Sequence, residues 1–303
     1  MKAVVLHEYG PPSKLIYEDF PDPIPAAGEV LVRVHAASVN PIDFKIRSGA
    51  AKDRFPLTFP AILGRDAAGT VAKLGEGVQG FKVGDRVFGL SNGTYAEFCL
   101  VKATDLALIP EGLEMTTAGA VPLVSVTGDQ LMRSGAKAQA GQTIILTGAL
   151  GSVGRCALFA ALEIGAKVIA AVRKQQMDEA LALGATAAID TDDDKSIASA
   201  GTVDAVADTI NHDVAAKLIA KVKSGGNFGS VLGPPSNAAL HPTVQVNAVR
   251  AAPDPKTFVH YGEAIRDGKL KLPIDSLMPL SEAASAQTLG EKGGTGGKII
   301  LTA

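Results

Sequence analysis

Short apolar runs, separated by prolines and glycines at short intervals, fill about the first 120 residues of the chain. Several of these runs alternate apolar with polar positions, which is typical of β-strands with one buried face. The pattern predicts a compact β-rich barrel or sandwich. The predicted strands cover residues 30–36, 69–74, 84–89 and 95–101.

From about Leu123 onward, Ala-rich helical stretches alternate with short, continuously apolar segments. Strands separated by helices predict a parallel, doubly wound sheet. The predicted strands cover residues 143–146, 167–172, 203–208 and 228–232, and the predicted helices cover residues 155–162, 178–183 and 212–222, the last closed by Gly225 and Gly226.

The C-terminal stretch contains a predicted helix over residues 256–267 and a final strand over residues 298–301. We expect this stretch to return to the β-rich part of the chain. The sequence therefore predicts an α/β protein of two domains. Residues 1–123 and 257–303 form the β-rich domain, and residues 124–256 form a Rossmann domain on the doubly wound parallel sheet.

The composition fits two sizeable cores, since 47% of the 303 residues are hydrophobic and 20% are charged. A net charge of −2 gives no electrostatic case for binding nucleic acid or an anionic membrane. No apolar run reaches the length of a membrane span, and no signal-peptide pattern opens the chain, so we expect a soluble cytoplasmic protein. Cys99 and Cys156 are too few for a disulfide framework and are predicted to be small buried side chains.

The most informative segment is a glycine motif at residues 148–154, which follows a predicted strand and opens a predicted helix. Its spacing is G-x-x-G-x-x-G, with Gly148, Gly151 and Gly154 at the glycine positions. Glycines let the backbone approach a pyrophosphate closely, and the N-terminus of the next helix favours its charge. We therefore expect these glycines, with Ser152 and Val153, to bind a dinucleotide. The alternative is an ordinary tight turn between strand and helix.

The end of the second predicted strand indicates which dinucleotide is bound. An acidic residue there usually holds the ribose hydroxyls of NAD, but Arg173 and Lys174 occupy the place here. Cations suit a 2′-phosphate, so the sequence favours NADPH. Both cations could instead be a solvated helix start. The acidic run at residues 192–194 could weaken phosphate binding, or could cap a helix.

Two further positions are candidate cofactor contacts. Thr127 precedes Gly128 in the segment that joins the predicted domains, where it could contact the nicotinamide or the pyrophosphate. Leu232 and Gly233 end a strand at the carboxyl edge of the parallel sheet, where cofactors bind.

The histidines and cysteines do not form a metal-binding pattern. A catalytic zinc ion needs three ligands from converging segments. His7 and His35 have no Cys or His partner at ligand spacing, and His212, His241 and His260 are scattered along the chain. We predict that the protein binds no metal.

Five segments in chain order resemble a known family. They are residues 36–45, 60–71, 84–87, the glycine motif and residues 297–301. Together they resemble the zinc-free quinone oxidoreductases of the medium-chain dehydrogenase/reductase superfamily, including its ζ-crystallin-like and alkenal/enone reductase branches. The resemblance implies a GroES-like catalytic domain beside the Rossmann domain, and a homodimer.

The resemblance also bears on zinc and on the substrate. In zinc-dependent relatives a cysteine stands at the place of Asn40, and Gly-His-Glu stands at residues 64–66. Many quinone-reducing members carry a tyrosine in place of Lys45 and an aromatic residue in place of Thr191. A lysine at position 45 is closer to the enal- and enone-reducing branch.

Three residues are candidates for catalysis. Hydride addition to a quinone or enone builds negative charge on the acceptor oxygen, which needs hydrogen-bond donors and a proton. The Asn40 amide could donate, and Lys45 could donate and supply the proton. Asp43 could orient Lys45 or the nicotinamide ribose, or could cap the helical turn that begins near it.

The sequence therefore favours an NADPH-dependent, zinc-independent reductase of small quinones or α,β-unsaturated carbonyls. An enoyl-thioester reductase is an alternative within the same enzyme class. A non-catalytic NADPH-binding redox sensor or a structural ζ-crystallin-like protein is another. Nucleic-acid binding is disfavoured by the near-neutral charge.

Overall fold

The computed structural model describes residues 1–303, apart from the side chain of residue 212. The strands are β1 (Lys2–Leu6), β2 (Leu15–Asp19), β3 (Glu29–Ser38), β4 (Ala61–Ile62), β5 (Asp66–Leu74), β6 (Arg86–Leu90), β7 (Phe98–Lys102), β8 (Leu106–Leu108), β9 (Thr143–Thr147), β10 (Lys167–Val172), β11 (Ala187–Asp190), β12 (Val203–Asp208), β13 (Val222–Ser230), β14 (Gln245–Ala248), β15 (Ile274–Pro279) and β16 (Lys298–Thr302). The helices are α1 (Pro41–Arg47), α2 (Met115–Ala118), α3 (Pro122–Gln130), α4 (Ser152–Ile164), α5 (Met177–Ala182), α6 (Asp194–Ser199), α7 (His212–Ile219), α8 (Pro255–Arg266) and α9 (Ala283–Lys292).

The chain divides into two compact units. Unit 1 comprises Met1–Leu123 and Pro253–Ala303, and unit 2 comprises Val124–Ala252. In the part of the chain that the structure describes, no helix combines the length and the apolar character needed to cross a membrane.

Unit 1 contains the β-rich part of the chain. One sheet has the order β2-β1-β4, and a larger one has the order β15-β16-β3-β5-β6-β8, with β7 also paired to β3. Strand β3 alternates as its sequence predicts, and it buries Val30, Val32 and Val34 in the core. The C-terminal strand β16 returns to this unit and pairs antiparallel with β3, opposite Ser38 and Ala37. The end of β3 is therefore fixed from several sides, and the candidate site residues of unit 1 follow it directly.

Unit 2 is a parallel sheet in the order β11-β10-β9-β12-β13-β14. Its central strands are apolar and almost fully buried, as strands covered by helices on both faces must be. The strand order reverses between β9 and β12, and open sheets of this kind bind ligands at the carboxyl ends of the strands around that point. The α/β class with a doubly wound parallel sheet, predicted from the sequence, is confirmed.

One predicted boundary in unit 2 is wrong. The sequence indicated a helix over residues 212–222 that Gly225 and Gly226 close, but α7 ends at Ile219 and β13 already begins at Val222. Strand β13 runs through both glycines, and its register with β12 shifts there. Gly225 has a φ of +79°, which glycine adopts without strain. Glycines inside a strand mark a bulge as readily as they end a helix.

Both cysteines pack as the sequence predicts. Cys99 lies in β7 and Cys156 in α4, and both are buried and outside any disulfide. Burial raises the pKa of the Cys99 thiol to about 12, so this side chain is a packing residue rather than a nucleophile.

Candidate functional site

The glycine motif forms a tight connection between β9 and α4 at the carboxyl edge of the unit 2 sheet. Gly148 has a φ of +61°, and Gly151 precedes the first residue of α4. A Cβ atom on Gly154 would lie 2.0 Å from the Gly148 carbonyl oxygen, so no other residue fits there. Ser152 and Val153 lie in the first turn of this 13-residue helix. The first N–H groups of a helix lack intrahelical partners, so this end of α4 can bind a phosphate.

Arg155 supports the motif from inside, although sequence reasoning did not single it out. Its side chain is buried, and Nε donates to the Leu150 carbonyl oxygen at 3.0 Å. The same guanidinium forms an ion pair with Glu179 of α5. An arginine directly after a glycine motif is the signal that could have found it.

Arg173 and Lys174 follow the end of β10, and both are exposed. Among the described residues neither forms an ion pair, so both ammonium and guanidinium groups are available to an anion. Thr191 lies beside them, because its N–H donates to the Val172 carbonyl oxygen at 2.9 Å. In the acidic run, Asp193 caps α6 by accepting from the Lys195 N–H at 2.9 Å, which is the second of the two roles considered for that run.

A buried polar network links the central strands of unit 2 at their carboxyl ends. Asp208 at the end of β12 accepts from the hydroxyls of Thr147 on β9 and Ser230 on β13, each at 2.9 Å. Leu232 follows β13, and its N–H donates to the Ser230 hydroxyl oxygen at 3.1 Å. Gly233 has a φ of +108°. Sequence reasoning identified Leu232 and Gly233 but missed the network that holds them.

Thr127 lies within α3, the helix in which the division between the two units falls along the chain. The next residue, Gly128, faces α4 so closely that a Cβ atom there would lie 2.7 Å from the Val153 carbonyl oxygen and 2.6 Å from the Ala157 nitrogen. Helix α3 therefore packs against the helix that follows the glycine motif, and Thr127 belongs to the same region of unit 2.

Asn40 lies at the centre of a second polar cluster, in unit 1. It precedes α1 and is 2% exposed. Its Nδ2 donates to Asp66 Oδ2 at 2.8 Å and to the Ser38 hydroxyl at 3.1 Å. Its Oδ1 accepts from Lys298 Nζ at 2.6 Å. Asp66 also accepts from the Leu123 N–H at 2.7 Å. Each polar atom of the Asn40 side chain therefore already has a partner within unit 1.

Asp43 belongs to the same cluster and is 1% exposed. Its Oδ2 accepts from the Asn40 N–H and from the Tyr95 hydroxyl, each at 2.8 Å. Burial raises the pKa of this carboxyl to about 6, against the opposing effect of those two donors. Burial also raises the pKa of Tyr95 well above its usual range. The other carboxylate oxygen of Asp43, Oδ1, is buried and has no hydrogen-bond partner among the described residues.

Lys45 lies apart from this cluster. It is exposed, whereas Asp43 two residues before it is buried, and residues two apart do not face each other on a helix. The observed role of Asp43 is to cap α1, which was the alternative to orienting Lys45. The structure thus brings Asn40 and Asp43 together and leaves Lys45 on the outward side of α1.

The donor set at the place of the family's zinc ligands does not fit a zinc ion. Asn40 is engaged by the Lys298 ammonium, and Arg65 donates to Asn92 Oδ1 at 2.5 Å. A divalent cation prefers thiolate, imidazole or carboxylate ligands and is repelled by a neighbouring ammonium group. Among the described residues, no three His, Cys, Asp or Glu side chains are grouped so that they could hold a metal ion. The side chain of His212 lies outside the described residues.

Comparisons with known proteins agree with the fold. The alcohol dehydrogenase GroES-like domain family matches residues 26–111, and the zinc-binding dehydrogenase family matches residues 183–301. The first of these confirms the GroES-like domain that the resemblance implied.

Three similar proteins show how far the likeness extends. Mouse quinone oxidoreductase is 36% identical over 172 residues, which are 56% of this chain and 51% of that protein. The matched region thus spans about half the length of this curated relative. A crystal structure of an alcohol dehydrogenase superfamily protein from Novosphingobium aromaticivorans is 30% identical, with a TM-score of 0.88 over 100% of this chain and 99% of that one. A mycobacterial protein complexed with NADPH is 26% identical, with a TM-score of 0.85 and 100% of both chains covered.

Three observations lead to one assignment. They are the order of the sequence segments, the presence of a GroES-like domain and a doubly wound sheet in one chain, and the full-length likeness to a superfamily member at 30% identity. The chain belongs to the medium-chain dehydrogenase/reductase superfamily.

Proposed function

We propose that the protein is an oxidoreductase that uses NADPH, and no zinc ion, to transfer hydride to a small quinone or α,β-unsaturated carbonyl compound. The observation that carries this proposal is the glycine motif before α4, with two exposed cations at the end of the neighbouring strand β10. The named activity of the quinone oxidoreductase relatives and the NADPH complex of a structural neighbour support it. We also propose a homodimer, as the family resemblance implies, and a cytoplasmic location, as the sequence analysis led us to expect.

The residues of unit 2 fit a dinucleotide. Gly148 and Gly154 allow the tight turn, because a Cβ atom on either would lie 2.5 Å or less from another atom of unit 2. A Cβ atom on Gly151 would have only the Gly148 carbonyl oxygen nearby, at 3.3 Å, and the first N–H groups of α4 attract the charge of a pyrophosphate. We assign the 2′-phosphate to Arg173 and Lys174, and the nicotinamide end to Thr127, Leu232 and Gly233. When bound, NADPH supplies the hydride, and the protein supplies binding, orientation and electrostatics.

Lys45 is the residue we assign to the substrate. The acceptor oxygen gains negative charge as hydride arrives, and an ammonium group both stabilises that charge and can supply the proton. Asn40 and Asp43 contribute differently from the first expectation. Because the Asn40 amide hydrogens already bind Asp66 and Ser38, we assign Asn40 and Asp43 to holding the start of α1, the helix that carries Lys45.

The donor set around Asn40 supports the proposal of zinc independence. A purified sample should oxidise NADPH in the presence of a small quinone or a small enone without added metal, and a strong chelator should leave the rate unchanged. Faster turnover of the enone would support the assignment of Lys45. A rate that falls with the chelator and returns with zinc would contradict zinc independence.

The choice of NADPH is tested by Arg173→Ala. Loss of a guanidinium contact to a phosphate should raise the dissociation constant of NADPH by about tenfold or more, and leave that of NADH nearly unchanged. Lys167→Ala is the matched control, because Lys167 is an exposed cation at the opposite end of the same strand. Fluorescence titration measures both cofactors. Equal losses for NADPH and NADH would remove the 2′-phosphate assignment.

A further inference from the structure

We propose that Asp208 is a positioning residue for the cofactor site. Through the hydroxyl groups of Thr147 and Ser230, it holds the backbone of three loops at the carboxyl edge of the sheet in place. This inference rests on the proposed function, because it concerns the same site. The loops are the glycine motif, residues 209–211 after β12 and residues 231–233 after β13.

Asp208 is a fully buried carboxylate that only donors surround. Its Oδ1 accepts from the Thr147 hydroxyl at 2.9 Å and from the N–H groups of Asn211 and Ile210 at 3.0 and 3.2 Å. Its Oδ2 accepts from the Ser230 hydroxyl at 2.9 Å. Among the described residues it forms no ion pair. A buried charge is costly without such donors, and an apolar residue would fill a sheet interior at lower cost.

The carboxylate determines which way the two hydroxyl groups point. A hydroxyl has one hydrogen, and here that hydrogen is directed at Asp208, so the oxygen lone pairs can accept from elsewhere. Thr147 Oγ1 accepts from the Thr209 N–H at 2.8 Å, and Ser230 Oγ accepts from the Leu232 N–H at 3.1 Å. Asp208 thereby fixes the backbone of the loops after β12 and β13 through two relays.

The place of the network gives it a functional meaning. Strands β9, β12 and β13 are adjacent in the centre of the sheet, and their carboxyl ends flank the point where the strand order reverses. The Thr209 hydroxyl donates to the Thr147 carbonyl oxygen at 2.8 Å, and a Cβ atom on Gly148 would lie 2.5 Å from that hydroxyl. The loop after β12 therefore rests directly on the glycine motif, and Leu232 and Gly233 continue from the residue that Ser230 anchors.

Asp204, near the amino end of β12, provides a matched control for Asp208. Asp204 Oδ2 accepts from the Thr143 N–H at 2.7 Å, and the same carboxylate forms an ion pair with Lys223. Asp204 thus links β12 to β9, as Asp208 does, but at the amino ends of the strands. A change at Asp204 removes a comparable cross-strand link without touching the three loops.

The experiment compares Asp208→Asn with Asp204→Asn by NADPH fluorescence titration without acceptor, at a temperature where circular dichroism shows both variants folded. Asp208→Asn should raise the dissociation constant of NADPH by about tenfold, the effect of losing one hydrogen bond to a charged group. Asp204→Asn should leave it within about twofold of the wild-type value. In turnover assays, the KM for NADPH should rise in Asp208→Asn more than kcat at saturating NADPH falls.

A second set of variants keeps the test decisive if Asp208→Asn does not fold. Ser230→Ala and Thr147→Val each remove one relay, and Thr147→Ser restores the hydroxyl. Weaker NADPH binding in the first two, with recovery in Thr147→Ser, would support the inference. Unchanged binding in Ser230→Ala and Thr147→Val, or equal losses in the Asp208 and Asp204 variants, would overturn it.

Hydrogen exchange of the ligand-free protein separates this inference from the proposed function. The amides of Thr209 and Leu232 should exchange faster in Asp208→Asn and not in Asp204→Asn. If wild-type protein fails to bind NADPH, the proposed function fails. The exchange result then tests the role of Asp208 by itself. Faster exchange at these amides supports the two hydroxyl relays, and unchanged exchange overturns the inference.

Discussion

Asp43 is the residue whose surroundings have the clearest consequence for pH dependence. Its pKa rises from an ordinary 3.8 to about 6 on burial. Between these two values the folded protein binds the proton that the unfolded chain releases. The contribution of Asp43 to the free energy of unfolding is therefore most favourable below the lower value, and it falls as the pH rises through the upper one.

Asp43→Asn should remove this dependence, because an amide oxygen can still accept from Asn40 and Tyr95 but the side chain no longer ionises. We expect the melting temperature of the variant, relative to wild type, to increase between about pH 4 and pH 7 by the equivalent of up to about 3 kcal/mol. Calorimetry at both pH values measures this. A difference between the two proteins that is constant with pH would contradict the raised pKa.

Lys45 is tested by removing its charge while keeping the length of its side chain. Lys45→Met should lower kcat by about a hundredfold, the usual contribution of one acid or oxyanion donor, and leave NADPH affinity near that of wild type. Lys52→Met removes another exposed cation, shortly after α1, and should keep the wild-type rate. Equal rates in all three proteins would remove Lys45 from the mechanism.

At the level of elements, the glycine motif combines a packing requirement with a binding role. Substitutions at two of its glycines, Gly154 and Gly151, test the packing requirement separately from the binding role. Gly154→Ala places a Cβ atom 2.0 Å from a backbone oxygen, so α4 or the preceding turn must move, at a cost of about 1–3 kcal/mol in the free energy of unfolding. Gly151→Ala meets its nearest atom at 3.3 Å, with an ordinary φ of −70°. Urea denaturation should show the larger loss in Gly154→Ala. Equal losses would mean that the close approach to Gly148 carries no cost.

The elements differ in how well the sequence predicts them. The strands of unit 2 can be predicted because each is an apolar run between a helix and a turn. The glycine motif can be predicted because its three glycines lie close together in the sequence. The irregular start of β13 cannot be predicted in this way, since a pair of glycines inside a bulged strand looks the same in the sequence as a pair that ends a helix. The polar clusters are invisible to local patterns, because Asn40 meets Lys298 across 258 positions and Asp208 meets Thr147 across 61.

For the whole molecule, the separation of the cores predicts how the chain unfolds. The two main clusters of unit 2 draw their buried residues from Leu131 to Val244, and the main cluster of unit 1 draws none from that interval. A fragment covering Val124–Ala252 should therefore unfold cooperatively by itself. The sequence-based boundary after residue 256 stays a prediction, and a fragment ending there should behave alike. A broad, non-cooperative transition in both fragments, followed by circular dichroism, would show that unit 2 depends on the rest of the chain.

The return of β16 to β3 also determines the order in which the ribosome can finish the two units. Every residue of Val124–Ala252 is translated before Lys298 exists, and domains generally fold as units during synthesis. The nascent unit 1 must wait with Ala37 and Ser38 at the end of β3 lacking their β16 partners and with the Asn40 Oδ1 atom lacking its ammonium partner. A strand made after unit 2 thus completes the sheet whose other strands, apart from β15, were made before it.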